Sequence, residues 1–161
     1  MNIMTDNKNI DKLSNSLSCN VEQTARILRV SAFRFFEETE NIPVSFNDFL
    51  IIETLFANPK IHQRDLAKLL FRGTANLSRD LEKLETKNLI QRSIDTKNNR
   101  VVKTLMLTNE GEKIYQEVSS LALAHVKEIE NIFTPQEHEQ FLSYILRLRN
   151  RITETVGNIL E

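Results

Sequence analysis

The sequence predicts a mainly helical fold with one small β-ribbon, and three observations lead to this prediction. The 161 residues include only three Gly and three Pro, and few turn-forming residues favour helices over many short strands. Along most of the chain, apolar residues recur at spacings of three and four, which is the helical period. Two stretches, Leu89 to Ile94 and Arg100 to Leu107, instead have the composition and alternation of paired strands.

Composition limits the class of protein further. The chain has the length of one domain, and its 40% of hydrophobic residues allow a real core. A single cysteine, Cys19, excludes an internal disulfide and any zinc site built from several cysteines. The sequence lacks a signal-peptide core, a run near the ~20 apolar residues of a membrane span, and a glycine-rich phosphate loop. We therefore expect a soluble cytoplasmic protein without a cofactor.

The N-terminal region is predicted to contain a tail and one helix. Residues 1–18 are polar and are expected to form a flexible tail. Residues 19–42 carry a predicted helix from about Asn20 to Thr39, with apolar residues on two sides. Such a helix needs two packing partners, and we expect one of them to be a second subunit. Residues 19–42 are therefore interpreted as an N-terminal dimerisation helix.

Residues 43–108 are predicted to form a separate lobe. After Pro43, a strongly apolar helix starts at Ser45 and ends at Asn58–Pro59. A short helix is then expected over Ile61–Leu70, with His62 at its N-cap and Gln63 just inside. It is followed by a turn, Phe71–Arg72–Gly73, in which Gly73 is expected to supply a backbone conformation that other residues resist.

The next predicted helix, Arg72 to about Thr86, has two contrasting faces. Leu77, Leu81 and Leu84 are spaced four and three apart and form one apolar stripe. The opposite side carries Arg72, Ala75, Asn76, Arg79 and Lys83. This face suits a DNA major groove, because arginine can pair with guanine and asparagine with adenine.

The predicted ribbon ends in a polar and basic tip. Its two strands are joined by a turn rich in Asp and Asn, residues 95–99. Lys97 and Arg100 make the tip cationic, and Asn98 and Asn99 lie between them. A tip of this kind can reach the minor groove or the flanking phosphates.

The charge distribution supports the same interpretation. Residues 60–103 hold eleven Lys and Arg against five Asp and Glu, a net charge of +6, so the rest of the chain must carry −7 to give the total of −1. A basic middle third between acidic flanks is typical of a DNA-binding module set in a non-basic scaffold. The alternative is a lysine-rich helix surface without a ligand.

Residues 109–161 are predicted to form two long helices. The first starts after Thr108 and runs to about Ile132. The second follows Thr134-Pro135-Gln136-Glu137, a capping box with proline at the first helical position, and runs to about Asn158. Their apolar stripes exceed what the lobe needs to bury, so this region is interpreted as C-terminal dimerisation helices.

The order of these pieces resembles the MarR family of winged helix-turn-helix regulators. The resemblance runs from about Val44 to Leu148 and rests on DFLIIETLFANP, IHQRDLAKLL, LSRDLEKLETKNLI, LMLTNEGEKI and FTPQEHEQFLSYILRLRN. It implies a winged helix-turn-helix lobe on an all-helical dimerisation platform. It also implies an obligate homodimer that reads a pseudo-palindromic operator on double-stranded DNA, usually as a repressor. Many family members release DNA on binding a small aromatic or lipophilic effector, or on cysteine oxidation.

The ribbon departs from the family pattern. Where the family has Asp-x-x-Asp-(Arg/Lys)-Arg, this chain has Asp95-Thr96-Lys97-Asn98-Asn99-Arg100, so one acid and one base are replaced by Asn. The stretch from Arg100 to Thr108 is one residue longer, which leaves room for a bulge or a shifted register. Asn88 stands where the family commonly has glycine, and Asn tolerates the same left-handed backbone.

We interpret the chain as a sequence-specific transcriptional regulator and not as an enzyme, since no nucleophile with an adjacent base and no paired carboxylates are recognisable. The candidate DNA-binding residues are His62, Gln63, Arg72, Thr74, Ala75, Asn76, Ser78, Arg79, Lys83, Lys97, Asn98, Asn99 and Arg100. The candidate effector residues are Phe33, Phe36, Phe46 and Phe49, which are alternatively plain core.

Other functions stay open at this point. The chain could be a winged-helix protein-interaction module, such as an antirepressor, that does not bind DNA. Cys19 could be a redox sensor, although no cation is near it in the sequence and a reactive thiol needs one. The three histidines, His62, His125 and His138, are too far apart in sequence to form a metal site on one helix, and no metal is expected.

Overall fold

The computed structural model describes residues 14–97 and 100–156. At residues 94–97, 100–103 and 156 it describes the backbone but not the side chains. The chain forms two compact units, and the boundary between them falls between Phe46 and Asn47. None of the described helices is long and apolar enough to cross a membrane.

The first unit contains helix α1, Leu17–Glu38. Its N-cap is Ser16, whose Oγ accepts a hydrogen bond from the backbone N–H of Cys19 at 3.3 Å. Because this cap lies upstream of Cys19, the helix begins three residues before the predicted Asn20. The tail predicted over residues 1–18 is therefore too long, and its residues 1–13 lie outside the described chain. Leu17, Ile27, Leu28 and Val30 of α1 are exposed.

The remaining elements follow in the order helix, strand, two helices, two strands and two helices. They are α2 Phe46–Ala57, β1 Ile61–His62, α3 Gln63–Leu69, α4 Thr74–Thr86, β2 Ile90–Lys97, β3 Arg100–Leu107, α5 Asn109–Glu130 and α6 Pro135–Val156. The strands form one antiparallel sheet in the order β1–β3–β2. The predicted fold class, mainly α with a small β-wing, is confirmed.

Strand β1 was not predicted, and Ile61, which was expected in the helix, lies in this strand instead. The predicted N-cap at His62, with Gln63 just inside the helix, is confirmed. Ile61 pairs with Leu105 and His62 with Thr104, and the helix starts only at Gln63. Lys60 has a left-handed backbone, φ 62°, directly before the strand. Strand β2 pairs with only one edge of β3, and the short strand β1 pairs with the other edge and satisfies backbone groups there.

The ribbon is longer than predicted. The turn expected over residues 95–99 is wrong for its first three residues, because Asp95, Thr96 and Lys97 pair with Val102, Val101 and Arg100. The β-branched partners favour continued strand pairing over the turn tendency of Asp95. All eight pairs, from Ile90 with Leu107 to Lys97 with Arg100, keep one register. The bulge considered from the sequence therefore does not occur along these pairs.

The core of the second unit lies where α2 to α4, the sheet and the start of α5 meet. Its buried apolar side chains are Phe49, Ile51, Ile52, Leu55, Leu66, Ala67, Leu77, Leu81, Leu84, Leu89, Ile90, Leu105, Leu107, Ile114 and Val118. No described side chain after Val118 is buried. The core thus includes only the first half of α5.

The start of α5 is tied closely to the end of α4. Thr108 is the N-cap of α5: its Oγ1 accepts from the N–H of Gly111 at 3.0 Å and donates to the carbonyl of Asn88 at 2.6 Å. The N–H of Thr108 donates to the carbonyl of Leu89 at 3.1 Å. A Cβ atom on Gly111 would lie 2.0 Å from that same carbonyl oxygen. Only glycine allows α5 to approach the chain this closely.

Candidate nucleic-acid interface

The two helices α3 and α4 are joined by a tight turn whose left-handed residue is Phe71, with φ 51°. Arg72 N–H donates to the carbonyl of Ala67 at 3.0 Å, and Phe71 N–H to that of Lys68 at 3.1 Å. These two bonds form a Schellman motif, which usually has glycine at the left-handed position. The role predicted for Gly73 is therefore wrong: Gly73 has φ −66° and ψ 140° and is the N-cap of α4. Phe71 is 73% exposed.

The buried face of α4 was predicted correctly. Leu77, Leu81 and Leu84 each have 0% of their surface exposed. On the other side of the first two turns, Thr74, Ala75, Asn76 and Arg79 are exposed. The second unit therefore presents a small residue, an amide and a guanidinium on a helix whose opposite side is fixed by packing. Within the described chain, no ion pair engages Arg79.

Gln63 and Ser78 connect the two helices. Gln63 Nε2 donates to Ser78 Oγ at 2.7 Å, and Ser78 Oγ donates to the carbonyl of Thr74 at 3.0 Å. This chain of hydrogen bonds holds the first turns of α3 and α4 together. His62 is the N-cap of α3 but makes no side-chain capping bond. The polar groups of Gln63 and Ser78 thus have a structural role, in addition to any contact with a ligand.

Arg72 lies before the first residue of α4, so its predicted place on the exposed helix face is wrong. The reason is that Gly73 caps the helix and delays its start to Thr74. The guanidinium of Arg72 pairs with the carboxylate of Asp80, Nη2 to Oδ2 at 2.5 Å. Both side chains are partly exposed, and the ion pair links the inter-helix turn to the middle of α4.

Lys83 also pairs within the chain. Its Nζ donates to Oδ2 of Asp48 in the first turn of α2, at a distance of 2.8 Å. The Asp48 side chain is 2% exposed and the Lys83 side chain 50%. The ammonium group therefore extends from the predicted DNA-facing side of α4 towards α2. The sequence contains no local signal for this pair, because the two residues are 35 positions apart.

The end of α4 and the base of the ribbon are well defined. Asn88 has φ 57°, as expected from its place after the helix. Leu89 N–H donates to the carbonyl of Leu84 at 3.0 Å and closes the helix in a second Schellman motif. Arg92 Nε pairs with Glu85 Oε2 at 3.1 Å and joins β2 to the last turn of α4. Sequence reasoning missed this pair, although its opposite charges flank the Asn88 turn.

The candidate residues at the ribbon tip are only partly described. Lys97 and Arg100 are the last paired residues of the two strands, so they sit side by side at the end of the ladder. Asn98 and Asn99 lie outside the described residues.

The four candidate effector residues divide between the two units. In the first unit, Phe46 packs edge-on against Phe33 and Phe36, with ring centroids 5.3 and 5.5 Å apart. In the second unit, Phe49 stacks near Tyr115 with centroids 6.2 Å apart.

Aromatic packing in the second unit also includes residues that were not predicted. Phe56 stacks on Tyr115 with ring centroids 4.0 Å apart. Glu53 lies on α2 between Phe49 and Phe56, and desolvation by burial raises the pKa of its carboxyl. The spacing of residues 49, 53 and 56 on one helix could have indicated this stripe from the sequence.

Comparison with known proteins finds relatives of the helix-turn-helix region. The MarR family model matches residues 44–102, from the segment before α2 into β3. The HTH-type transcriptional regulator YybA of Bacillus subtilis (strain 168) is 25% identical over 115 residues, which is 71% of this chain and 76% of YybA.

Solved structures share the fold over most of the chain. A MarR/EmrR family transcriptional regulator from Acinetobacter sp. ADP1 has a TM-score of 0.76 at 21% identity, covering 90% of this chain and 98% of its own. The S. aureus MepR protein of a MepR–DNA complex has a TM-score of 0.70 at 22% identity, covering 85% of this chain and 96% of its own.

In fold, the protein is a winged helix-turn-helix protein, with α3 and α4 as the helix pair and β2–β3 as the wing. Residues 44–102 match the MarR family model, which confirms the resemblance predicted from the sequence. The family match and the HTH-type transcriptional regulator YybA both support the class of transcriptional regulators.

Proposed function

We propose that the protein is a homodimeric, sequence-specific repressor that acts in the cytoplasm on a pseudo-palindromic operator. The observation that carries this proposal is the exposed face of α4 opposite three fully buried leucines. A helix fixed on one side can present Asn76 and Arg79 to base edges in a constant orientation. This geometry is what a helix in the major groove requires.

The proposed contacts divide into base readout and backbone anchoring. Arg79 and Asn76 read bases, with Ala75 leaving space for close approach. Thr74 donates to a phosphate from the first turn of α4, and Ser78 positions Gln63 through the hydrogen bond between them. His62 and Gln63 lie near the start of α3, where backbone amides favour an anion. The wing residues Lys97, Asn98, Asn99 and Arg100 contact the neighbouring groove or backbone. Arg72 and Lys83 contribute less, because their charges are paired within the chain.

The exposed apolar residues of α5 and α6 support a homodimer. Leu121, Leu123, Val126, Phe141, Leu142, Tyr144 and Ile152 are exposed on these helices. Apolar surface on this scale marks an interaction site. In a two-fold dimer, the apolar surface of each copy would be covered by the same surface of the other copy. Its two α4 helices would then read half-sites about one helical turn apart.

A small aromatic or lipophilic effector would be recognised by aromatic side chains. Within the first unit, Phe33, Phe36 and Phe46 provide one such group, and within the second unit Phe49, Phe56 and Tyr115 provide another. We propose these two clusters as the places to look for effector contacts. Calorimetric titration with aromatic acids and lipophilic amines, with and without operator, would identify a compound that binds and releases DNA.

One experiment tests the proposed function directly. Selection of bound sequences from a random duplex library should return a pseudo-palindrome. Arg79→Ala should then lower affinity for the selected operator about tenfold or more, in line with the loss of a bidentate base contact, and lower affinity for a scrambled duplex much less. A library from which no sequence is enriched would contradict specific DNA binding. Equal losses on both duplexes would remove Arg79 from base readout.

A second candidate function is a winged-helix protein-interaction module that does not bind DNA. It is favoured by the pairing of Arg72 and Lys83 with Asp80 and Asp48, which reduces the free positive charge around α4. Retention on DNA-cellulose at low salt separates the two candidates. A DNA-binding protein would be retained and released by salt, whereas an interaction module would pass through.

A further inference from the structure

The inference concerns Lys83, a basic residue of the proposed DNA-reading helix that extends away from the proposed ligand. Lys83 follows Asn76 and Arg79 by seven and four residues, so all three lie on one side of α4. Its ammonium is nevertheless within 2.8 Å of the Asp48 carboxylate in the first turn of α2. The row formed by Asn76, Arg79 and Lys83 on α4 thus ends in a contact with α2.

The partner of Lys83 is a buried anion, which makes the contact energetically important. Asp48 is 2% exposed. A buried carboxylate has lost its hydration and is strongly unfavourable without compensation, so removing the cation from such a pair is costly. Asp48 lies in the first turn of α2, a position where a helix favours a negative charge. Lys83 contributes a full charge, while half of its side chain is still exposed to water.

The pair adds directional information that apolar packing lacks. Leu77, Leu81 and Leu84 determine which face of α4 is buried, but the hydrophobic effect is non-directional and tolerates small rotations and slides. A charged hydrogen bond has a narrow range of distance and angle. A bond from Lys83 to a residue near the start of α2 therefore fixes the rotation of α4 about its axis. Arg79 and Asn76 on the same helix take their direction from that rotation.

We propose that Asp48 and Lys83 form a positioning pair for α4, and that Lys83 acts on DNA through Asp48 and not by contacting a phosphate. This inference rests on the proposed DNA-binding function. It makes Asp48, a buried acid on another helix, a determinant of DNA affinity. Simple electrostatics predicts the opposite effect of Asp48 on DNA affinity, because removing its negative charge would strengthen DNA binding.

The test is equilibrium DNA binding of the full-length protein over a series of KCl concentrations. The variants are Lys83→Met, Lys83→Arg, Asp48→Asn and the double variant Asp48→Asn/Lys83→Met, with Arg79→Met as the direct-contact control. Each is measured on the selected operator and on a scrambled duplex. The temperature is set where thermal unfolding shows that every variant is folded. The double variant has no unpaired buried charge, so it is expected to fold even if a single variant does not.

Lys83→Met and Asp48→Asn should each weaken operator binding by about tenfold, within the range for contacting, coupled residues. The double variant should be no weaker than either single variant, and Lys83→Arg should restore most of the loss. The slope of log affinity against log salt should stay unchanged for Lys83→Met, because only the loss of a phosphate contact would reduce it by about one. Arg79→Met, which removes a base contact, should lower the operator affinity and the ratio of operator to scrambled affinity. The ratio of operator to scrambled affinity should fall in both single variants.

Two results would overturn the inference. If Lys83→Met reduces the salt slope by about one while Asp48→Asn binds as tightly as wild type or more tightly, then Lys83 contacts a phosphate directly. If both variants unfold at lower temperature but keep the wild-type ratio of operator to scrambled affinity, then the pair only stabilises the fold. Failure of the proposed function is distinguished without any variant, because the wild-type protein would then show no preference among duplexes.

Discussion

Helices α4 and α6 are both amphipathic, yet they are stabilised in opposite ways. Helix α4 has its leucine stripe fully buried but no side-chain N-cap bond at Gly73. Helix α6 starts with a complete capping box, in which Thr134 N–H donates to Glu137 Oε2 at 2.9 Å and Glu137 N–H to Thr134 Oγ1 at 3.3 Å. None of its described side chains is buried. Tertiary packing therefore determines the position of α4, whereas a local capping signal determines where α6 begins. The apolar residues of α6 stay exposed and are available to pack against another surface.

The largest expected difference between the two helices is in the response to a leucine truncation. Leu81→Ala on α4 should lower the free energy of unfolding by about 3 kcal/mol, since it leaves a cavity in a closed core. Leu142→Ala on α6 is the matched control, because the same atoms are removed from an exposed side chain. Denaturant unfolding at low protein concentration measures both. Equal losses would show that α6 is packed within its own chain.

The exposed stripe should instead control association. Phe141→Glu places a charge on a side chain that is 51% exposed and should raise the dimer dissociation constant at least tenfold, an estimate based on losing one buried aromatic anchor. Sedimentation equilibrium and the concentration dependence of Tm measure the change. Glu139→Gln, on the same helix, is a suitable control. An unchanged dissociation constant would place the interface elsewhere.

Changes to the two N-caps should have smaller and opposite effects. Thr134→Ala removes a capping hydroxyl and should cost about 1 kcal/mol. Gly73→Ser adds a hydroxyl where a Cβ meets nothing within 4 Å, and should stabilise α4 by a few tenths of a kcal/mol, as roughly expected from Ser–Gly cap differences. Thermal unfolding of both variants at one protein concentration gives the comparison. A destabilising Gly73→Ser would show that the cap position is constrained by more than space.

The smallest expected effect is a dependence on pH at the start of α6. Hydrogen bonds from the backbone and side chain of Thr134 hold the pKa of Glu137 below its ordinary value of 4.5. A lowered carboxyl pKa stabilises the fold above the unfolded pKa, and this contribution is lost as the pH falls through the folded pKa. Wild type should therefore be more stable than Glu137→Gln at neutral pH, and the difference should disappear in acid. A difference that does not narrow as the pH is lowered would contradict this origin.

What the sequence could predict depended on whether the signal was local. The capping box at Thr134, the left-handed Asn88 and the leucine stripe of α4 each follow from residues within one or two turns, and the structure has all three. Strand β1 depends on a partner more than 40 residues later, so the apolar pattern of Ile61–Leu70 indicated only a helix. Phe71 in a left-handed conformation could not be predicted, because glycine was available two residues away.

The candidate site shows the same limit at the level of side chains. A helical projection placed Arg72 and Lys83 with Arg79, but it gives the direction in which a side chain leaves the backbone and not where a long side chain ends. Lys83 ends at Asp48 and Arg72 at Asp80, and both acids are recognisable only in three dimensions. The free positive charge predicted for this face of α4 was therefore overestimated.

The contact of Gly111 with Leu89 has a mechanical consequence. Helix α5, with 22 residues, is about 33 Å long, and α4, with 13, about 20 Å. The hydrogen bonds of Thr108 and the lack of space for a Cβ atom at Gly111 make the junction between α4 and α5 rigid. A tilt of α5 by ~5° would then swing the far end of α4 by ~1.7 Å, from its length. That displacement is over half of a typical hydrogen-bond length. A small movement among the C-terminal helices would therefore be enough to move Asn76 away from the base that we propose it reads.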